Sequence, residues 1–178
     1  TGSTRVGRQV AVTAAQHLKR CVLELSGKAA LIVLEDADLD AAVDAAAHGA
    51  FFNQGQICMS TERIILLDNI ADRFVAKLVA KTRSLRAADP QRESAPLGTL
   101  IHAAAAERVA ALIRDAQDKG AVLLIGGRVE GAVMQPAVID HVASNMAIYH
   151  EESFGPVASI LRVRDEEEAL SIANDTEY

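Results

Sequence analysis

The sequence has no tryptophan, only two tyrosines and four phenylalanines, and no excess of positive charge. With 18 Lys and Arg against 24 Asp and Glu the formal charge is −6, which offers no electrostatic footprint for a nucleic-acid backbone. No apolar run reaches the length of a membrane span, and the N-terminus lacks a positively charged region followed by an apolar core. Nucleic-acid and membrane partners are therefore not expected, and a cytoplasmic setting is the default. Two cysteines, Cys21 and Cys58, are too few for a disulfide scaffold and lie in dissimilar contexts, so both read as thiols. There is no internal repeat, low-complexity tract or flexible linker. The chain begins at Thr1 without Met and stops at Tyr178 before any helix-closing Gly, so both ends read as cut.

What is present is a chain of 178 residues, half of them hydrophobic, enough to bury a core. Val6 to Gln16 reads as an Ala- and Val-rich helix, followed by a short apolar, strand-like run from Cys21 to Leu25 and a turn at Ser26-Gly27-Lys28. Leu31 to Leu34 resembles a buried parallel strand, and Asp38 then caps an Ala-rich helix running to about Phe52, broken by Asn53 to Gln56. Arg63 to Leu67 reads as a strand, Ala71 to Arg86 as an amphipathic helix and Pro90 to Gly98 as a polar loop. Ala103 to Lys119 is a helix stopped by Gly120. Strands follow at Ala121 to Ile125, Ala137 to Ile139 and Val157 to Val163, and Asp165 to Asn174 is a last helix. The alternation predicts an α/β fold.

Two segments carry chemistry. In Phe51-Phe52-Asn53-Gln54-Gly55-Gln56-Ile57-Cys58-Met59-Ser60, a polar turn at a helix end presents a cysteine, which becomes a nucleophile where the thiolate is favoured and accessible. The alternative is a buried thiol acting as a small hydrophobe. In Leu23-Glu24-Leu25-Ser26-Gly27-Lys28, one carboxylate sits in an apolar run. Burial there would raise its pKa toward the range of a general base or call for a partner such as Lys28; alternatively Glu24 points to solvent from an edge strand.

In order and spacing these two segments resemble the aldehyde dehydrogenases. So do Thr1-Gly2-Ser3-Thr4 with Gly7-Arg8, Asp36 to Asp40, Met134-Gln135-Pro136, Glu151 to Val157, and Ala173-Asn174 with Thr176 and Tyr178. The resemblance implies an α/β, parallel-rich catalytic domain with flanking helices over residues 26–178, incomplete at its C-terminus, and the last part of a Rossmann-like cofactor domain over 1–25. It implies that Cys58 attacks an aldehyde carbon, that hydride passes to NAD or NADP, and that Glu24 activates the water that hydrolyses the thioester. The Cys58 N–H would donate to the oxyanion. Gly2, Ser3 and Gly7 match the segment at the cofactor's phosphates, Glu152 the residue at the nicotinamide ribose hydroxyls, Phe154 one near the nicotinamide ring, and Leu25 one whose backbone faces that ring. Read without the family, Glu151-Glu152 is a charged surface pair and Phe154 a core aromatic. The stretch from Gln54 to Arg63, with Leu31 to Leu34, looks most like the branch acting on salicylaldehyde, vanillin or benzaldehyde.

Family members are more than twice as long, so this piece alone is expected to be inactive, its full-length parent being a homodimer or homotetramer. Two rival readings are a non-catalytic scaffold of the same fold and a CoA-acylating dehydrogenase, the latter disfavoured by Glu24. No metal site is expected: Asp36, Asp38 and Asp40 suit a helix N-terminus, and the five histidines share no ligand spacing. Cys21 reads as a plain buried residue. Ser26 stands where the family usually has Gly, and Ser60 is less usual after the cysteine.

Overall fold

Runs of β-branched and aliphatic residues supply a sheet whose three central strands are buried on both faces. In a computed structural model describing residues 1–178, β1 (Ala30–Val33) pairs in parallel with β2 (Arg63–Leu67), which pairs in parallel with β7 (Val157–Val163). Beyond β7 lies β6 (Ala137–Asp140), parallel to it, and β3 (Val122–Ile125) closes the edge antiparallel to β6. The order is β1-β2-β7-β6-β3. A small hairpin, β4 (Val129–Glu130) and β5 (Val133–Met134), stands apart.

Alternation along each strand divides the core into two layers. Ile64 and Leu66 of β2, with Ala158 and Ile160 of β7, face α2 (Leu39–Phe51) and α3 (Asp68–Thr82), where Ala46, Phe51, Phe74 and Leu78 meet them. Ile65, Leu161 and Val163 point the other way, toward α4 (Ala103–Asp118), α5 (Ala147–His150) and α6 (Glu166–Asn174), against Val109, Ile113, Tyr149 and Ala169. Each large aliphatic side chain buried this way contributes about 1.5–3 kcal/mol.

The expected α/β class and most element positions hold. Asp38 caps α2 by accepting from the N–H groups of Asp40 and Ala41, and Asp165 caps α6 through Glu168 N–H. His102 does the same for α4 with Nδ1 accepting from Ala105 N–H, and Gly120 follows that helix at φ +106°. The helix expected from Ala71 to Arg86 instead runs from Asp68 to Thr82, because β2 passes into it without a loop and Asp68 complements the helix dipole in its first turn. The hairpin and α5 are too short to show a period in the sequence.

The run from Cys21 to Leu25 is not a strand. It makes no ladder; its one backbone tie is Gly2 N–H donating to Glu24 O at 3.0 Å. An extended segment without a paired neighbour does not form sheet. Cys21 is accordingly exposed rather than buried, and Val22 is 90% exposed. These residues follow α1 (Thr4–Gln16), in which only Gly7 is buried.

Candidate active site

Cys58 is reached through an unusual stretch of backbone. After α2, a 3-10 turn over Phe52–Gly55 carries Asn53, Gln54 and Gly55 in succession at positive φ (50°, 56° and 68°). Asn53 Nδ2 donates to Gln56 O at 3.2 Å, and the Gln56 side chain reaches the Thr99 carbonyl and the Ile101 N–H. Gly55 is required twice over: its φ suits glycine, and a Cβ there would lie 2.2 Å from the Gly155 carbonyl oxygen. The chain then makes a turn in which Ser60 N–H donates to Ile57 O at 3.0 Å, with Cys58 second in the turn. The thiol is exposed, which decides against the buried-hydrophobe reading. The Cys58 N–H donates to no backbone carbonyl.

Beside the thiol is a cavity of about 520 Å³ lined by three separate stretches: Thr1, Gly2 and Ser3; Leu25 and Ser26; and Gln56, Ile57 and Cys58, closed by Glu152 and Phe154. Six of the residues singled out from the sequence, Gly2, Ser3, Leu25, Cys58, Glu152 and Phe154, thus converge on one cavity. Phe154 is no core aromatic; it is 38% exposed at φ +47°. Ser3 caps α1, accepting from Val6 N–H at 3.4 Å, and no acidic side chain occupies the first turn of that helix, so its positive end stays free of a side-chain anion.

Two predicted residues do not line the cavity. Gly7 is buried in α1, where a Cβ would come within 2.5 Å of Leu25 Cδ2; its absence of side chain lets Leu25 seat against the helix and face the cavity. Glu24 is exposed, with its carbonyl tied to Gly2 N–H. The burial expected to tune it is absent, and Lys28 is not its partner. Ser26, in the family's glycine position, is not at positive φ, so that turn accepts a side chain. The Ser60 hydroxyl is buried without a hydrogen-bond partner, and nothing in the structure explains it.

The residues missed by sequence reasoning are the ones that hold the site. Lys28, 4% exposed, donates through Nζ to Glu62 Oε2 at 2.7 Å. Burial pushes the Lys28 ammonium below its ordinary pKa, against the upward pull of Glu62 beside it. Glu62, equally buried, accepts from Ser153 N–H at 3.0 Å, the Ser153 hydroxyl and Phe154 N–H at 3.1 Å. From the opposite side, Arg108 on α4 donates to the Glu152 and Ser153 carbonyls. Gly27 N–H donates to Glu152 Oε1 at 3.3 Å. Arg63, 1% exposed, binds the carbonyls of Lys28, Ile172, Ala173 and Asp175. The only signal in the sequence was a charged Glu62-Arg63 pair directly before an apolar strand, a position where burial demands partners.

The fold and cavity define an α/β protein that presents an accessible thiol beside a pocket with a helix N-terminus and a carboxylate on its walls. No group of three or more His, Cys, Asp or Glu side chains is placed to hold a metal ion, and no helix is long and apolar enough to cross a membrane. The sequence model of the Aldehyde dehydrogenase family matches residues 1–178, and the chain belongs to that family. It is 57% identical over its whole length to a vanillin dehydrogenase of Pseudomonas fluorescens and 54% identical to a salicylaldehyde dehydrogenase of Pseudomonas putida, covering 37% of each. The crystal structure of a salicylaldehyde dehydrogenase from Pseudomonas putida complexed with salicylaldehyde superimposes with a TM-score of 0.95 at 52% identity, over 99% of this chain and 37% of that one. The chain therefore spans little more than a third of these relatives. Enzymes of the family use NAD or NADP.

Proposed function

We propose that the protein containing this chain oxidises an aromatic aldehyde to its carboxylic acid with NAD or NADP as hydride acceptor. The observation that carries the reading is the convergence of Gly2, Ser3, Leu25, Cys58, Glu152 and Phe154 on one cavity beside an exposed thiol. Two of the most similar relatives act, by name, on vanillin and salicylaldehyde, and this supports the aromatic class.

The cavity suits a nicotinamide cofactor. Its α1 end offers first-turn backbone N–H groups, other than the Val6 N–H taken by Ser3, to a phosphate, the Glu152 carboxylate can accept from hydroxyls, and Leu25, Ile57 and Phe154 give apolar contact. Cys58, as thiolate, attacks the carbonyl carbon, and the oxyanion of the thiohemiacetal takes a hydrogen bond from the Cys58 N–H. A nicotinamide held there would supply the hydride acceptor, and loss of hydride from that carbon would leave a thioester on Cys58. Glu24 takes a proton from water, the resulting hydroxide displaces the thiolate, and the acid leaves. Residues 1–25 belong to the cofactor domain and 26–178 to the catalytic domain in this reading; in support, every strand of the sheet lies after residue 29. The exposed Val6, Val10, Val12, Leu18 and Val22 indicate a surface that needs cover in the whole enzyme, so residues 1–178 alone should turn over little.

The test is NAD(P)H formation by the full-length protein with salicylaldehyde, vanillin and benzaldehyde against aliphatic aldehydes. Faster turnover of the aromatic set is expected. Preference for an aliphatic aldehyde would overturn the substrate class, and no turnover with any aldehyde would overturn the reaction.

A further inference from the structure

The cavity wall formed by Glu152 and Phe154 is held by a buried carboxylate outside the cavity. Phe154 has φ +47°, a conformation that costs a non-glycine residue about 1–2 kcal/mol. Something must hold it there. The two oxygens of Glu62 take consecutive backbone donors, Oε2 from Ser153 N–H at 3.0 Å and Oε1 from Phe154 N–H at 3.1 Å, with the Ser153 hydroxyl on Oε2 as well. Lys28 Nζ at 2.7 Å balances the charge. A buried carboxylate with four donors is firmly set, and charge-assisted hydrogen bonds are the strong ones.

The arrangement also joins the three parts of the site. Lys28 lies just beyond Leu25 and Ser26, and its neighbour Gly27 holds the Glu152 carboxylate. Glu62 lies four residues beyond Cys58. Ser153 stands between Glu152 and Phe154. Resting on the reading of the cavity as a cofactor site, we infer that Glu62 is a positioning residue: it fixes the Ser153–Phe154 backbone so that Glu152 and Phe154 meet the nicotinamide riboside end of the cofactor. Without it Phe154 is free to relax to negative φ, carrying both side chains away from the cavity, while the Cys58 turn keeps its own hydrogen bonds.

The test uses the full-length protein and three variants: Glu62→Ala, Glu62→Gln, and the double variant Lys28→Met with Glu62→Gln. The double variant removes both charges while leaving an amide oxygen that can still accept a backbone N–H, so it guards against a fold lost to an unpaired Lys28. Binding of NADH and NADPH is followed by fluorescence, alkylation of Cys58 by iodoacetamide without cofactor, and unfolding by melting. Glu62→Ala is expected to weaken cofactor binding by about tenfold, the effect of one lost charge-assisted hydrogen bond. Cys58 alkylation should be unchanged, Glu62→Gln should be intermediate, and the double variant should bind more tightly than Glu62→Gln. Unchanged cofactor binding in Glu62→Ala and in the double variant would overturn the inference. So would parallel losses of cofactor binding, thiol reactivity and melting temperature, which are the mark of a merely structural residue. A wild-type protein that binds neither NADH nor NADPH would instead overturn the reading of the cavity itself.

Discussion

Two segments that carry expected site residues are built in opposite ways, and only the first of them borders the cavity. The loop from Glu152 to Pro156 is gripped on both edges: Glu62 takes its N–H groups, Arg108 its carbonyls, and Gly155 presses against Gly55. The segment from Leu18 to Glu24 has the Leu18 and Lys19 N–H groups on the end of α1 and the Gly2 to Glu24 bond, with Leu18 and Val22 almost fully exposed. The family resemblance gives both a part in the site, cofactor contact to Glu152 and Phe154 and catalysis to Glu24. The difference teaches that, within residues 1–178, the order of a segment follows where its backbone polar groups find partners, not the chemistry of the side chain it presents.

That contrast can be broken or sharpened by measurement. The largest effect is expected at the thiol, whose turn is internally bonded: Cys58→Ala in the full-length protein should lower aldehyde oxidation by ~10³-fold or more, and a variant that retained activity would remove Cys58 from the reaction. Next, the join between the Lys28 turn and the C-terminal helix depends on Arg63. Arg63→Met leaves the carbonyls of Lys28, Ala173 and Asp175 without the guanidinium donor, the Ile172 carbonyl keeping Asp175 N–H, and should cost about 3 kcal/mol in denaturant unfolding. An unaltered midpoint would mean these carbonyls are satisfied otherwise. On the loosely held side, Glu24→Gln should slow steady-state turnover by about 10²-fold while the first turnover persists as a burst of NAD(P)H. Loss of burst and steady state together would place Glu24 in an earlier step.

The smallest effect concerns the anchor behind Arg63. Tyr149, whose hydroxyl donates to Asp175 Oδ2 at 2.7 Å, has its pKa pushed up to about 12 from 10.0, by burial first and by Asp175 second. The folded state then holds the phenolic proton more tightly than the unfolded state. This contribution to stability is complete below pH 10.0 and is lost as pH rises toward about 12. Unfolding free energy should fall over that window, and Tyr149→Phe should flatten the fall; an equally steep fall in the variant would refute the assignment.

Much of the fold was legible because local signals agreed with tertiary demands. The strands Arg63–Leu67 and Val157–Val163 lie where their aliphatic runs put them, and Asp38, Asp165 and Gly120 mark helix ends by their own chemistry. The run from Cys21 to Leu25 misled for a related reason. Apolar composition gives a segment the means to pack but not a neighbour to pair with, and no strand within residues 1–178 pairs with this one. The site was half legible. Cys58 stood out by polar neighbours unsuited to a core thiol and lies at the cavity, whereas Glu24, conspicuous by its isolation, lies outside it. Ser153 and Arg108 gave no such signal, and the charges of Lys28 and Glu62 did not show that they pair with each other, since nothing local tells a buried ion pair from a surface one.

By itself, then, the sequence determined the α/β alternation, the thiol on a turn and the family to which the chain belongs, because these rest on the order of residue types along the chain. Only the tertiary structure decided that Gly2, Leu25, Cys58, Glu152 and Phe154 share a cavity, that Gly7 serves it from behind Leu25, and that Lys28 pairs with Glu62 and not with Glu24. Those are contacts between segments far apart in the chain, and a buried charge takes whichever partner the packed sheet and helices bring within hydrogen-bond reach.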